Sequence, residues 1–247
     1  STRVLIASAL ISTLPAASYA QSVTMTSAVS LGFASSSIDV GAGDIDITSM
    51  SLDFESDIRF GANVSVGLDF GCDLVTGEVL ASSGIMNPQI RFGEDLMSRV
   101  SYAMMNPGGD REMTTAVREA LNTLAGEIAA EAEIDPALIL ETVFVCNPVM
   151  HHLLLGIDPV ELGQAPFALA TSSSLTLPAR DLDLAALNSG AQVYILPCIA
   201  GHVGADAAAV ALSEEPNLSD DLVLVVDVGT NAEILLGNRN KVLACSS

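Results

Sequence analysis

Hydrophobic residues change their period once along this 247-residue chain, and the change limits what each part can fold into. From Gln21 to Gly71 apolar side chains alternate. Val23, Met25, Val29, Leu31 and Phe33 share one parity, and Met50, Leu52, Phe54, Ile58, Phe60, Val64, Val66, Leu68 and Phe70 share the other. A two-residue period broken by "DVGAGD" and "ESD" predicts antiparallel strands joined as hairpins. After Cys72 the grammar is mixed. "CDLVTGEVLASSG" reads as two strands about Thr76-Gly77, and "GEDLMSRVSYAMMNPGG" as a helix stopped by Asn106, Pro107 and Gly108. Met113, Val117, Leu121, Leu124 and Ile128 then recur at helical spacing. "LETVFVCN" and "QVYILPC" read as strands, and "PVMHHLLLG" and "HVGADAAAVALSEE" as helices. Alternating strands and helices predict an α/β chain, α+β overall: a mixed sheet with flanking helices, preceded by an antiparallel hairpin segment.

The first twenty residues carry a separate signal. One cation at Arg3, an apolar run from Val4 to Leu14, and small residues at Ser18 and Ala20 have the layout of a secretory signal peptide cleaved after Ala20. The apolar run is too short for a permanent membrane helix. The expectation is that residues 1–20 stand apart from the fold or are loosely helical.

Composition excludes one class of partner. Thirty Asp and Glu against nine Lys and Arg give a formal net charge of -21, so a phosphate-tracking cationic surface is absent and nucleic acid is not an expected partner. The four cysteines, Cys72, Cys146, Cys198 and Cys245, are scattered without zinc-ribbon or iron-sulfur spacing and read as buried thiols. Of three histidines, His151 and His152 are adjacent, which does not place two rings on one metal as residues four apart would. No resident metal ligand set is expected.

Two stretches carry chemistry. In "VVDVGTNAE" an Asp ends a buried strand and a tight turn follows. Asp227 can orient a magnesium-bound water, Gly229 lets backbone approach phosphate, and Thr230 and Asn231 add donors. Glu233, two residues beyond Asn231, points to the same face and can act through metal-bound water. A turn merely capped by Asp and Gly fits the same letters. In "PCIAGHVGADA", Gly201, His202, Gly204 and Asp206 stand where a strand becomes a helix. This is either an anion-facing loop at a helix N-terminus or tight packing with His202 satisfied by a neighbour. Asn147 is similarly open between ligand contact and capping of the helix that begins at Pro148.

"NPQIRFGEDLMSRVSYA", "CNPVMHHLLLGIDP", "LPCIAGHVGADA" and "VVDVGTNAEILLGNRNKVLACSS", in that order, resemble the reductive activators of corrinoid-dependent proteins, the ferredoxin-like ASKHA family. The likeness covers residues 72–247 and implies an actin-like ATPase domain of the acetate kinase, sugar kinase and heat-shock chaperone type. It implies ATP and Mg2+ as cofactors, a corrinoid protein or methyltransferase as partner, and a cytoplasmic location. It implies reduction of cob(II)alamin to cob(I)alamin coupled to ATP hydrolysis. By the same resemblance Asp227, Gly229, Thr230, Asn231 and Glu233 fall on the family's second phosphate motif, and His202, Gly204 and Asp206 on its "GHVGAD" loop.

The chain departs from that pattern in several places. An iron-sulfur cluster is not expected within this chain. The first phosphate motif should precede "CDLVTGEVL", where "NVSVGLDFG" stands instead; Asp69 and Gly71 imitate its first residues, but Cys72 and Asp73 replace threonines. The adenosine segment should follow Ser247. Residues 21–71, behind a signal peptide, resemble the opening strands of a Gram-negative porin, the other reading being a soluble meander. The expectation is thus three segments, 1–20, 21–71 and 72–247: a catalytically incomplete activator fragment joined near Gly71-Cys72 to an exported segment. The hairpins are expected to borrow the vacant sheet edge, and a membrane is a partner only if the porin-like segment functions. The alternative is an exported porin-like protein with the α/β part as passenger.

Overall fold

A computed structural model of the chain describes residues 4–10, 34–39, 44–49, 66–73, 79–228 and 232–246. Its strands are β1 (Val4–Leu10), β2 (Ala34–Asp39), β3 (Asp44–Ser49), β4 (Val66–Asp73) and β5 (Val79–Met86). Helices α1 (Leu96–Met105) and α2 (Gly109–Glu131) follow, then β6 (Ile139–Cys146), α3 (Pro148–Leu155), β7 (Leu175–Pro178), β8 (Gln192–Ile195) and α4 (Ala205–Glu214). The described chain closes with β9 (Val223–Val228), β10 (Ala232–Asn238) and β11 (Lys241–Ser246). It divides into two compact units, Ser1–Thr13 with Val64–Ala208, and Leu14–Asn63 with Ala209–Ser247.

The first unit is built on a six-stranded mixed sheet in the order β5-β4-β1-β6-β8-β7. β5, β4 and β1 are mutually antiparallel neighbours, whereas β1, β6 and β8 run parallel, and β7 returns antiparallel on β8. Parallel neighbours need crossovers, and the α1-α2 segment is on the route into β6 while α3 is on the route out. α2 forms because its apolar positions repeat at helical spacing. Val117, Leu121, Leu124 and Ile128 are each at most 4% exposed. Burying each contributes about 1.5–3 kcal/mol, well above the tenths that intrinsic propensity supplies. Val117, Leu121 and Ile128 of α2 pack with Phe144 and Cys146 of β6, Met150 and Leu154 of α3, and Val193 and Ile195 of β8 in one core. A smaller core joins Leu96 and Val100 of α1 to Met113, Val149, Leu153 and Leu162. Because α3 lies between these cores it is buried on every side, as its almost wholly apolar sequence requires.

In the second unit β9, β10 and β11 form an antiparallel meander, and β2 and β3 form a separate two-stranded pair. Among the described residues no helix is long and apolar enough to cross a membrane.

The mixed α+β architecture agrees with the sequence expectation, but the first seventy residues are arranged differently. Val4–Leu10 neither stands apart nor is loosely helical; it is an inner strand of the large sheet. A short apolar run with Val and Ile satisfies the description of a signal-peptide core and of a doubly buried strand alike, and pairing decides between them. It is therefore β1, not the hairpin segment, that lies between β4 and β6. The hairpin expectation holds for β2 and β3, while β4 belongs with β1 and β5, so the expected boundary at Gly71-Cys72 falls inside a strand. Nor do Asp69 and Gly71 open a phosphate turn, because β4 pairs continuously through both, with a register shift only between Gly71 and Cys72. The alternating run 51–65 lies outside the described residues.

Candidate functional site

In the first unit, candidate residues gather where the parallel strands β6 and β8 end, the side of an open α/β sheet at which ligands usually bind. β6 leads directly into α3 through Asn147, whose Oδ1 accepts the Met150 N–H at 2.9 Å. Of the two roles left open for this residue, capping is the one observed, and Pro148 occupies the first helical position where its missing N–H costs nothing. β8 leads through Cys198 into a turn closed by reciprocal bonds: the Ala200 N–H donates to the Val203 carbonyl at 2.9 Å, and the Val203 N–H to the Ala200 carbonyl at 3.0 Å. Gly201 and His202 form its tip.

Glycine is required at two points of this turn by close approach. A side chain at Gly201 would enter the Phe167 carbonyl, and one at Gly204 would lie 2.7 Å from the Pro148 ring and 2.8 Å from the Asn147 Cα. Gly204 thereby seats the start of α4 against the start of α3. Asp206, in the first turn of α4, accepts the Ala207 N–H at 2.9 Å. The structure leaves one ring nitrogen of His202 without a neighbour to satisfy it. Its Nε2 is buried without a partner among the described residues, and its ring stands edge-on to Phe167 with centroids 4.4 Å apart. Phe167 gave no signal in the sequence, because its contact with the turn is non-local.

The adjacent histidines of α3 are buried and have unlike surroundings. His152 Nδ1 lies 2.8 Å from the Pro148 carbonyl, and Nε2 accepts the Ala170 N–H at 3.0 Å, which fixes a neutral tautomer. Neither ring nitrogen of His151 has a partner among the described residues. Burial, helped by neighbouring His152, lowers the His151 pKa to about 4, and burial lowers that of His152 as well. Among the described residues no three His, Cys, Asp or Glu side chains are grouped for a metal ion.

The second unit holds the other candidate stretch. Asp227 on β9 is directly opposite Glu233 on β10, so the two carboxylates share one face of the strand pair, one position from its Val228–Ala232 end. Glu233 Oε1 also accepts the Ser246 hydroxyl of β11 at 3.0 Å. Asp227 is half-buried, and desolvation raises its pKa. Two facing carboxylates on adjacent strands have the chemistry to take a hard, partly hydrated cation such as Mg2+, which keeps several waters and takes few protein carboxylates. Gly229, Thr230 and Asn231 lie outside the described residues. The register adds what the letters did not show, that Glu233 faces Asp227 across the strands. Cys245 departs from the sequence expectation of a buried thiol: it is exposed, whereas Cys146 and Cys198 are buried.

A mixed sheet with helices on its crossovers and a separate antiparallel meander define a mixed α+β protein. The RACo middle region family matches residues 66–217, and the chain belongs to that family. A curated relative, the corrinoid activation enzyme RamQ of Eubacterium limosum, is 34% identical over 175 residues, 71% of this chain and 29% of that protein. A solved structure, a reductive activator for corrinoid, iron-sulfur protein, is 32% identical with a TM-score of 0.70, covering 73% of this chain and 29% of its own. The chain thus spans less than a third of the length of either. The family match begins inside the segment expected to be porin-like, and none of these likenesses supports the porin reading.

Proposed function

We propose that this chain carries part of the nucleotide-handling region of an ATP-dependent reductive activator of corrinoid proteins, built on the ASKHA plan. The observation that carries the reading is the facing pair Asp227 and Glu233 beside "GTN", downstream of the family-matched region. The RamQ likeness supports corrinoid activation as the process, and the solved relative is a reductive activator by its own description. In this reading Asp227 and Glu233 hold Mg2+ through water, while Gly229, Thr230 and Asn231 receive phosphate oxygens. The Gly201–Asp206 turn of the first unit is, in this reading, a ligand-facing loop. Mg2+ neutralises phosphate charge when bound. Reduction of cob(II)alamin to cob(I)alamin would take one electron from a separate one-electron donor.

The reading is tested by mixing the chain with a corrinoid protein loaded with cob(II)alamin and following complex formation by analytical ultracentrifugation. The expected result is a specific complex whose affinity changes on adding Mg2+ and ATP. Binding no stronger than that of an unrelated protein of equal acidity, or binding indifferent to nucleotide, would overturn it.

A further inference from the structure

A cavity of about 330 Å3 opens in the first unit between α2, the C-terminal end of α3 and the turn at Asp183. One face of α2 supplies most of its wall. Arg111, Thr115, Arg118 and Asn122 recur at spacings of four, three and four residues, which sets them in one row along the helix. Only nine Lys and Arg offset thirty Asp and Glu in this chain, and two of the nine line this one cavity, so it is a place where an anion can be held against the overall charge. A carboxylate is already seated there. Arg118 Nη1 donates to Asp183 Oδ2 at 2.7 Å, a charge-assisted length, while Nε and Nη2 donate to the Leu154 carbonyl at 3.1 and 2.9 Å. Those bonds fix the guanidinium and use three of its five N–H donors. Gly156 leaves room for it, since a Cβ there would lie 3.3 Å from Arg118 Nη2. Arg111, two helical turns away, is exposed and has neither ion pair nor hydrogen bond among the described residues, and the Thr115 hydroxyl between them is likewise without a partner.

We propose that this cavity binds a small dicarboxylate, with one carboxylate on Arg118 in the place of the Asp183 side chain and the other on Arg111. The proposal goes beyond the nucleotide reading and does not rest on it. Two cations seven residues apart on one helix, about 10 Å along its axis, match an anion with two charged ends better than a compact one. The volume is at the small end of ligand cavities, which run from about 300 to 1,000 Å3, and so favours a short-chain diacid. The Thr115 hydroxyl is placed to donate to the carboxylate on Arg111. Asp183 leaves readily, because its side chain is 78% exposed and an ion pair so open to water contributes little. Asp183 competes with the ligand, and Glu119, exposed and also lining the cavity, repels it. The affinity is therefore modest, with a Kd of about 1 mM.

The test is an NMR titration of the intact chain with succinate, and with acetate and inorganic phosphate as anions lacking a second separated end. Succinate should shift the Arg118 Nε–H signal and the amides of residues 111–122 saturably, with a Kd about tenfold below those of acetate and phosphate. Arg111→Gln, at an exposed residue without a partner among the described residues, should raise the succinate Kd about tenfold, to the level of acetate. Asp183→Asn removes the competing carboxylate and should lower it about threefold; Asn tolerates the left-handed backbone, φ 56°, that Asp183 adopts. No saturable succinate binding, a Kd no lower than that of phosphate, a Kd unchanged in Arg111→Gln, or weaker binding in Asp183→Asn would each overturn the proposal.

Discussion

His151 and His152 are chain neighbours with opposite consequences for stability. His151 has no hydrogen-bond partner among the described residues, so His151→Leu removes a desolvated polar ring without orphaning another group, and stability at pH 7 should hold or rise. His152→Leu strands the Ala170 N–H and should cost about 1–3 kcal/mol in urea unfolding. The pH dependence follows from the sign of the shift. A histidine held at about 4 when folded and 6.5 when unfolded gives the unfolded chain more protons between those values. Its stability contribution is therefore full above 6.5 and falls as pH drops toward 4, and His151→Leu should flatten that limb of the stability curve. Asp227 has the opposite sense: its folded pKa is raised, so ionising it costs stability as pH climbs through the window above 3.8. Asp227→Asn should raise the melting temperature at neutral pH, while a lower one would mean that the carboxylate serves structure rather than ligand binding.

At the scale of elements, the contact between the starts of α3 and α4 organises the candidate turn. Asn147→Ala loses the bond to Met150 N–H and should cost about 1 kcal/mol, the usual worth of an N-cap. Gly204→Ala places a methyl against Asn147 Cα and the Pro148 ring, and overpacking of this kind costs about 1–3 kcal/mol. Both losses are measurable by urea unfolding, and Gly204→Ala should also speed proteolysis at the Gly201-His202 tip; an unchanged midpoint for both would mean that the helices do not abut. The four helices were legible in sequence because each has a local mark: helical period for α2, Asn147-Pro148 opening α3, Asn106 stopping α1, and a glycine-rich lead into α4. β7, four residues long in "LTLP", has no period to read.

For the whole molecule, the largest difference from sequence reasoning is β1. "VLIASAL" contains nothing that separates a signal-peptide core from an inner strand; the deciding partners, β4 and β6, begin at positions 66 and 139. Hydrogen exchange on the intact chain should find the amides of Val4–Leu10 protected to the same degree as those of β6, and removing residues 1–13 should destabilise the first unit by several kcal/mol, at about 0.5–1.5 kcal/mol per lost hydrogen bond. Fast exchange throughout Val4–Leu10 would return that segment to a separate role. The candidate residues were legible one by one in each unit, and only pairing placed Glu233 against Asp227.

Nucleotide binding at the β9–β10 hairpin is the central claim, and titration calorimetry of the intact chain with ATP, with and without Mg2+, tests it most directly. Binding at about the millimolar level, near 4 kcal/mol, is expected because one phosphate turn supplies few of the contacts of a full site. It should strengthen with Mg2+ and disappear in Asp227→Ala, while Thr230→Val, which keeps volume and loses a hydroxyl donor, should weaken it. Tight binding that persists in Asp227→Ala, or heats unaffected by Mg2+, would contradict the account by placing the nucleotide elsewhere.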